Sequence, residues 1–159
     1  MNLFVLNLIL AISWAALSGA FSLVSLSVGF VLGYGVLWIL QPLMGGRSRY
    51  FRRLYAWGKL LVMFHYELVV SSLAVTWDVL TPRHRARPGF VEMPLDVKTD
   101  AGILLVTNLI SLTPGTLSLN VSDDRKTLLV HAMFMDDPDA VIRQLKNGME
   151  KWVREAIES

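Results

Sequence analysis

The sequence predicts a membrane protein in three parts: an N-terminal transmembrane α-hairpin over residues 1–46, a basic-flanked, membrane-associated helix over 47–88, and a small cytoplasmic α+β domain over 89–159. Three observations predict it. Residues 1–46 contain no Asp, Glu, Lys or Arg, and Arg47-Ser-Arg49-Tyr-Phe-Arg52-Arg53 follows with four arginines in seven positions. Residues 54–80 are mainly apolar but carry polar groups at helical spacing. Beyond residue 88 the hydrophobic period alternates between that of strand and helix in the order βαββα, a truncated ferredoxin-like unit.

The uncharged run lacks the polar face that helices of soluble cores keep. As one straight helix, Asn2 to Leu40 would be close to twice the roughly 30 Å hydrocarbon thickness, at about 1.5 Å per residue. It must fold back. Ser18-Gly19-Ala20 is the weakest point for helix continuity and splits the run into Leu3 to Leu17 and Phe21 to Leu40, with Gln41-Pro42 closing the second arm. The first arm, about 15 residues against the usual 20, needs local bilayer thinning or cover from neighbouring protein. A cleaved signal peptide ending near Ala20 is the other reading, but it requires a basic n-region that this N-terminus lacks. Gly45-Gly46-Arg47 reads as a hinge with a basic anchor.

Residues 47–87 hold eight Lys or Arg against Glu67 and Asp78, whereas residues 88–159 hold seven against eleven acidic residues. The basic surplus therefore sits beside the hairpin, where cytoplasmic flanks collect positive charge, which points to the lipid bilayer and away from nucleic acid. Arg47, Arg49, Arg52 and Arg53 before the second segment, and Arg83, Arg85 and Arg87 after it, are candidate membrane-surface anchors. The absence of cysteine excludes disulfides, thiolate metal sites and thiol nucleophiles. His65, His84 and His131 are too scattered to imply a metal site, and there is no Gly-rich phosphate loop or recognisable Ser-His-Asp arrangement. The residues point to no catalytic group, no cofactor, no metal and no small-molecule substrate.

Between Leu54 and Leu80, Glu67, Ser71 and Asp78 fall along one stripe of a helix, and His65, Ser72 and Thr76 along its neighbour. Arginines flank both ends. If the hairpin leaves Arg47 to Arg53 in the cytoplasm, a third crossing puts Arg83 to Arg87 and the whole C-terminal domain outside, against the positive-inside tendency. Two crossings remove the conflict, so the helix from about Tyr50 to Leu80 is expected to run along the cytoplasmic face or against partner subunits. The stretch is nonetheless long enough to span, and long domains can translocate regardless of charge.

In the C-terminal domain, Val91, Met93, Leu95 and Val97 alternate with polar residues as a strand does, and Pro94 assigns it to a sheet edge. Thr99 or Asp100 caps a helix over Ala101 to Leu112, stopped by Thr113-Pro114-Gly115-Thr116. Leu117 to Val121 and Thr127 to Met135 form two further strands around the turn Ser122 to Lys126, the second expected at the centre of the sheet as the most apolar. Asp137-Pro138 opens a last helix that buries Val141, Ile142, Leu145, Met149, Trp152, Val153, Ala156 and Ile157. Asp136 to Asp139 supply negative charge at its N-terminus rather than a cation site, and Asn120-Val121-Ser122, a glycosylation sequon, has no meaning on a cytoplasmic strand.

His65, Glu67 and Asp78 are candidate inter-subunit polar contacts. His65 and Glu67 sit about 200° apart around the helix, too far to relay a proton directly, and Asp78 reads as a partner for nearby arginines. Thr113, Pro114, Gly115 and Thr116 are a structural motif that re-aims the chain from helix into strand.

Asn108-Leu-Ile-Ser-Leu-Thr-Pro-Gly-Thr116, the hairpin into Leu129-Val-His-Ala-Met-Phe134, and Trp77-Asp78-Val79-Leu80-Thr81-Pro82 together resemble the E-type subunits of the Mrp-type (also Mnh or Pha) multisubunit monovalent cation/proton antiporters. The resemblance covers essentially the whole chain. It implies a multi-pass protein of a prokaryotic cell membrane, in a hetero-oligomer with other antiporter subunits that exchange sodium, lithium or potassium for protons. It further implies an accessory, assembly-supporting subunit rather than an enzyme or the ion pathway, since large subunits related to complex I are thought to carry the ions. The alternatives are the equivalent subunit of a membrane-bound hydrogenase-type complex, and a stand-alone anchor that binds anionic lipid or a regulator through its basic belt.

Overall fold

The computed structural model describes residues 3–44, 49–82 and 85–158. The anchors Arg47 and Arg83, the Gly45-Gly46 hinge and His84 lie outside the described residues. The chain divides into two compact units, Met1–Arg52 and Arg53–Ser159.

The first unit pairs helix α1 (Leu3–Leu17) with α2 (Leu23–Leu40), followed by a 3₁₀ turn (Gln41–Met44) and the opening residues of α3 (Arg49–Leu80). Gly19 ends α1 at a φ of +65°, a left-handed conformation that costs glycine little, and the Ser22 side chain caps α2 by accepting from Ser25 N–H at 3.1 Å. The buried residues are Asn7, Ala11 and Ala15 on α1 and Gly29, Gly33 and Leu37 on α2, each set at four-residue spacing. A Cβ at Gly29 would lie 2.8 Å from Trp14 Cβ and 2.9 Å from the Ala11 carbonyl oxygen, and one at Gly33 would collide with Asn7 Oδ1. Small side chains on both helices thus let the backbones close together, which is how helices associate where solvent offers no hydrophobic drive. Asn7 Nδ2 donates to the Tyr50 hydroxyl at 2.8 Å. Its Oδ1 is buried where a Gly33 Cβ would otherwise sit and meets no hydrogen-bond donor among the described residues.

The second unit contains the rest of α3, then β1 (Gly89–Pro94), α4 (Asp100–Leu112), β2 (Thr116–Val121), β3 (Thr127–Ala132), α5 (Pro138–Leu145) and α6 (Lys151–Ile157). The sheet is antiparallel with order β1-β3-β2. β3 is central because Leu128, Val130 and Ala132 are buried on one side while its other residues are only half covered. Pro94 sits at the end of an edge strand, where a missing N–H interrupts no inner ladder. Val91, Met93, Leu128 and Val130 meet Val106 and Ile110 of α4 and Met149 and Val153 of the C-terminal helices in one core. Ala56 and Leu60 of α3 belong to that same core, with Phe64 packed against it. Burying these side chains contributes about 1.5–3 kcal/mol each for the larger ones. The opposite face of the sheet leaves Phe90, Leu117 and Leu119 exposed.

The last helix departs from the expected unbroken run. A π-helical turn over Lys146–Glu150, with Gly148 at φ −94° and ψ −106°, separates α5 from α6. Its consequence is that Glu150, which the apolar periodicity leaves outside the core, turns inward to 1% exposure and accepts the amides of Asp96 and Val97. π-turns of this kind re-aim side chains at the cost of regular hydrogen bonding.

Among the described residues two helical segments are long and apolar enough to cross a membrane, Leu23–Leu43 and Arg49–Leu80; α1 is shorter, at 15 residues.

Candidate functional site

Within the second unit, the corner where α4 becomes β2 and the stretch of α3 that faces it line a cavity. Thr113 ends α4, and its hydroxyl donates back to the Leu109 carbonyl at 2.9 Å while Thr116 Oγ1 donates to the Ile110 carbonyl at 2.7 Å. The Leu109 carbonyl is thereby satisfied by a side chain of the motif, and the Ile110 carbonyl, which also accepts Thr113 N–H at 3.2 Å, gains a second donor. Gly115 takes a φ of +90°, open to glycine and strained for other residues, and its carbonyl accepts from Met133 N–H at 2.7 Å. The corner thus locks α4, β2 and the end of β3 in one arrangement.

Across from it, α3 presents Glu67, Val70, Ser71 and Ala74, and the two walls enclose a cavity of ≈ 190 Å³ completed by Phe134 and Gln144. A Cβ at Gly115 would lie 3.6 Å from Val75 Cγ2, ordinary contact. α3 is consequently two-faced. Ala56, Leu60, Phe64, Glu67, Ser71, Val75 and Asp78, spaced three or four apart, turn toward the unit's own sheet and helices. Tyr55, Val62, Tyr66, Val69, Leu73, Trp77 and Leu80 form the opposite stripe, all exposed.

Lys59 Nζ meets Glu155 Oε2 at 2.6 Å and ties α3 to α6. The polar groups nearer the outside of α3 are satisfied within the helix: His65 Nδ1 is 2.7 Å from the Leu61 carbonyl, Ser72 donates to Leu68 at 2.6 Å and Thr76 to Ser72 at 2.7 Å. Such back-bonding hides polarity from an apolar surrounding.

The predicted polar contacts separate clearly. Glu67 is half-buried and lines the cavity; His65 is exposed on another face; Asp78 is 3% exposed and accepts the Arg85 backbone amide, closing the chain after α3. Arg49, Arg52, Arg53, Arg85 and Arg87 are exposed, and Arg87 also pairs with Asp136 at 3.5 Å. His131 lies on the open sheet face, its ring centroid 5.2 Å from that of Phe90. Among the described residues no group of three His, Asp or Glu side chains is placed to hold a metal ion.

Sequence reasoning missed two polar residues. Asn7 stands among apolar neighbours, and only its four-residue spacing with Ala11 and Ala15 hints at a buried face. Glu150 gave no signal, because its burial depends on the π-turn.

Residues 7–156 match the family described as Na+/H+ ion antiporter subunit. The chain is 40% identical over 154 residues to the E1 subunit of the Na(+)/H(+) antiporter of Staphylococcus haemolyticus (strain JCSC1435), a match that covers 97% of this chain and 96% of that relative. It is 35% identical over 150 residues to the E-type subunit of the Na(+)/H(+) antiporter of Alkalihalophilus pseudofirmus, covering 94% of each. Among solved structures, a chain of the Mrp complex from Dietzia sp. DQ12-45-1b is similar at TM-score 0.51 and 29% identity, covering 63% of this chain and 94% of that one. A chain of the membrane-bound sulfane sulfur reductase, an archaeal respiratory membrane complex, is similar in fold at TM-score 0.55 and 21% identity, covering 97% and 98%.

Proposed function

The chain belongs to the Na+/H+ ion antiporter subunit family, and from that premise we propose that it is an accessory subunit that holds a multisubunit cation/proton antiporter together without carrying its ions. Its partners on this reading are the other antiporter subunits and the bilayer. Helices α1 and α2 cross the membrane as a hairpin, α3 lies along the cytoplasmic face or against neighbouring subunits, and the α+β domain is cytoplasmic.

The observation that carries this reading is the two-faced α3. Its length and apolarity suit a span, yet its inner face supplies Ala56 and Leu60 to the domain's core. To cross, it would have to draw that core, and the Lys59–Glu155 pair with it, into hydrocarbon, where charged groups are costly. The outer stripe suits an interface instead: Tyr55, Tyr66 and Trp77 alternate with Val and Leu, as side chains at the headgroup level do. The hairpin, for its part, has no Asp, Glu, Lys, Arg or His, the groups that proton or cation relays through a bilayer use.

The chain has no cysteine, so introduced thiols report topology without background. With a membrane-impermeant maleimide on intact cells, Ala20→Cys at the hairpin tip labels and Ser122→Cys on the β2–β3 turn does not. Labelling of Ser122→Cys from outside overturns the two-crossing arrangement.

A further inference from the structure

We infer that the cavity between α3 and the Thr113–Thr116 corner is a socket for one basic side chain, a lysine or arginine of a neighbouring antiporter subunit, with Glu67 as its counter-charge. The inference rests on the hetero-oligomeric reading above and adds the chemistry of one contact.

The cavity, ≈ 190 Å³, is lined by one charged group, Glu67; its other lining side chains are neutral. Among the described residues no hydrogen bond or ion pair reaches the Glu67 carboxylate. The hydroxyls around it are committed elsewhere. Ser71 donates to the Glu67 backbone carbonyl at 2.6 Å, Thr113 to Leu109 at 2.9 Å and Thr116 to Ile110 at 2.7 Å. Glu67 is thus a half-buried carboxylate at a largely apolar wall that no donor reaches among the described residues, which leaves it available to a cation brought by a partner.

The complement follows from the walls. Val70, Ala74 and Phe134 offer apolar surface along the approach, and Glu67 supplies the single negative charge. A long side chain with a methylene stem and a cationic head satisfies both, because Lys and Arg lay their stems on apolar surface and place only the head at a polar partner. An uncharged apolar side chain would fill the walls but bury the carboxylate unpaired. A bare monovalent cation would find only one anionic ligand here.

The test uses the complete complex from co-expressed antiporter subunits. A benzoylphenylalanine at Gln144, on the cavity wall, is photoactivated and the captured peptide identified by mass spectrometry; the expected product is a peptide of a different subunit containing Lys or Arg. Glu67→Lys should lower retention of this chain in the purified complex at least about tenfold, the loss typical when one partner of a desolvated charge pair is replaced. Exchange of the captured Lys or Arg for Glu should then restore it. Where Glu67→Lys lowers the membrane level of the chain itself, the isosteric Glu67→Gln carries the retention measurement. Capture of lipid or of a second copy only, retention of both variants equal to wild type, or retention that follows sodium concentration rather than the partner's charge overturns the socket. Wild-type chain that fails to co-purify with antiporter subunits refutes the parent reading instead, so the two failures are distinct.

Discussion

Glu150 accepts the backbone amide of Val97 at 3.1 Å inside the domain core, and its second oxygen lies 3.4 Å from Lys146 Nζ. The same carboxylate takes the Asp96 amide at 2.5 Å, so one side chain fixes the loop that leaves β1 for α4. Glu158 repeats the device about two helical turns on, accepting from Lys98 at 2.7 Å and Thr99 at 3.1 Å.

Replacement of Glu150 by Leu leaves two amides without acceptors in a water-poor site. The expected cost is about 2–4 kcal/mol, and Glu150→Gln, which keeps an acceptor oxygen, should lose about half of that or less. Thermal unfolding of the detergent-solubilised chain checks the ranking; equal melting temperatures for the Leu variant and wild type would remove the clamp from the account.

The hairpin contact predicts a size limit at Gly33, where any Cβ meets Asn7 Oδ1. Gly33→Ala should destabilise the helix pair by about 1–3 kcal/mol and Gly33→Leu by more, seen as reduced levels of the chain in membranes. Gly35, whose Cβ would meet nothing within 4 Å, is the control: Gly35→Ala should leave levels unchanged.

At the corner, Gly115→Ala forces a side chain into a left-handed backbone and should cost about 1–2 kcal/mol. Thr116→Val removes the hydroxyl donor to the Ile110 carbonyl while keeping the shape and leaves it only the Thr113 N–H, for about 1 kcal/mol or less. Urea unfolding followed by Trp fluorescence measures both. A Gly115→Ala chain as stable as wild type would show that the motif does not set the corner.

Lys59 and Glu155 are each about one-third exposed, so their 2.6 Å ion pair should be worth under about 1 kcal/mol in a double-mutant cycle. A larger coupling would mean that bound lipid or protein dries the pair, itself informative about what covers this side.

Much of this fold could be read from residues. The charge-free run and Ser18-Gly19-Ala20 give both hairpin arms, because helix breaks follow local propensity; the central place of β3 follows from Leu128, Leu129 and Val130, more apolar than either neighbour strand. The polar stripe of Glu67, Ser71 and Asp78 was visible as well, but not its destination. That depends on packing between segments some forty residues apart, which periodicity does not encode. Glu150 and the π-turn were hidden for a related reason: a change of one residue in helical register leaves the pattern of apolar positions almost intact.

The central claim, that this subunit holds the complex without moving its cargo, is tested most directly by sodium/proton exchange measured per assembled complex. Proteoliposomes containing complexes with His65→Leu and Glu67→Gln combined, normalised to the amount of this chain present, should exchange at the wild-type rate even where fewer complexes are recovered. Complexes recovered intact and in full stoichiometry, yet unable to exchange, would put α3 in the ion path and contradict the account.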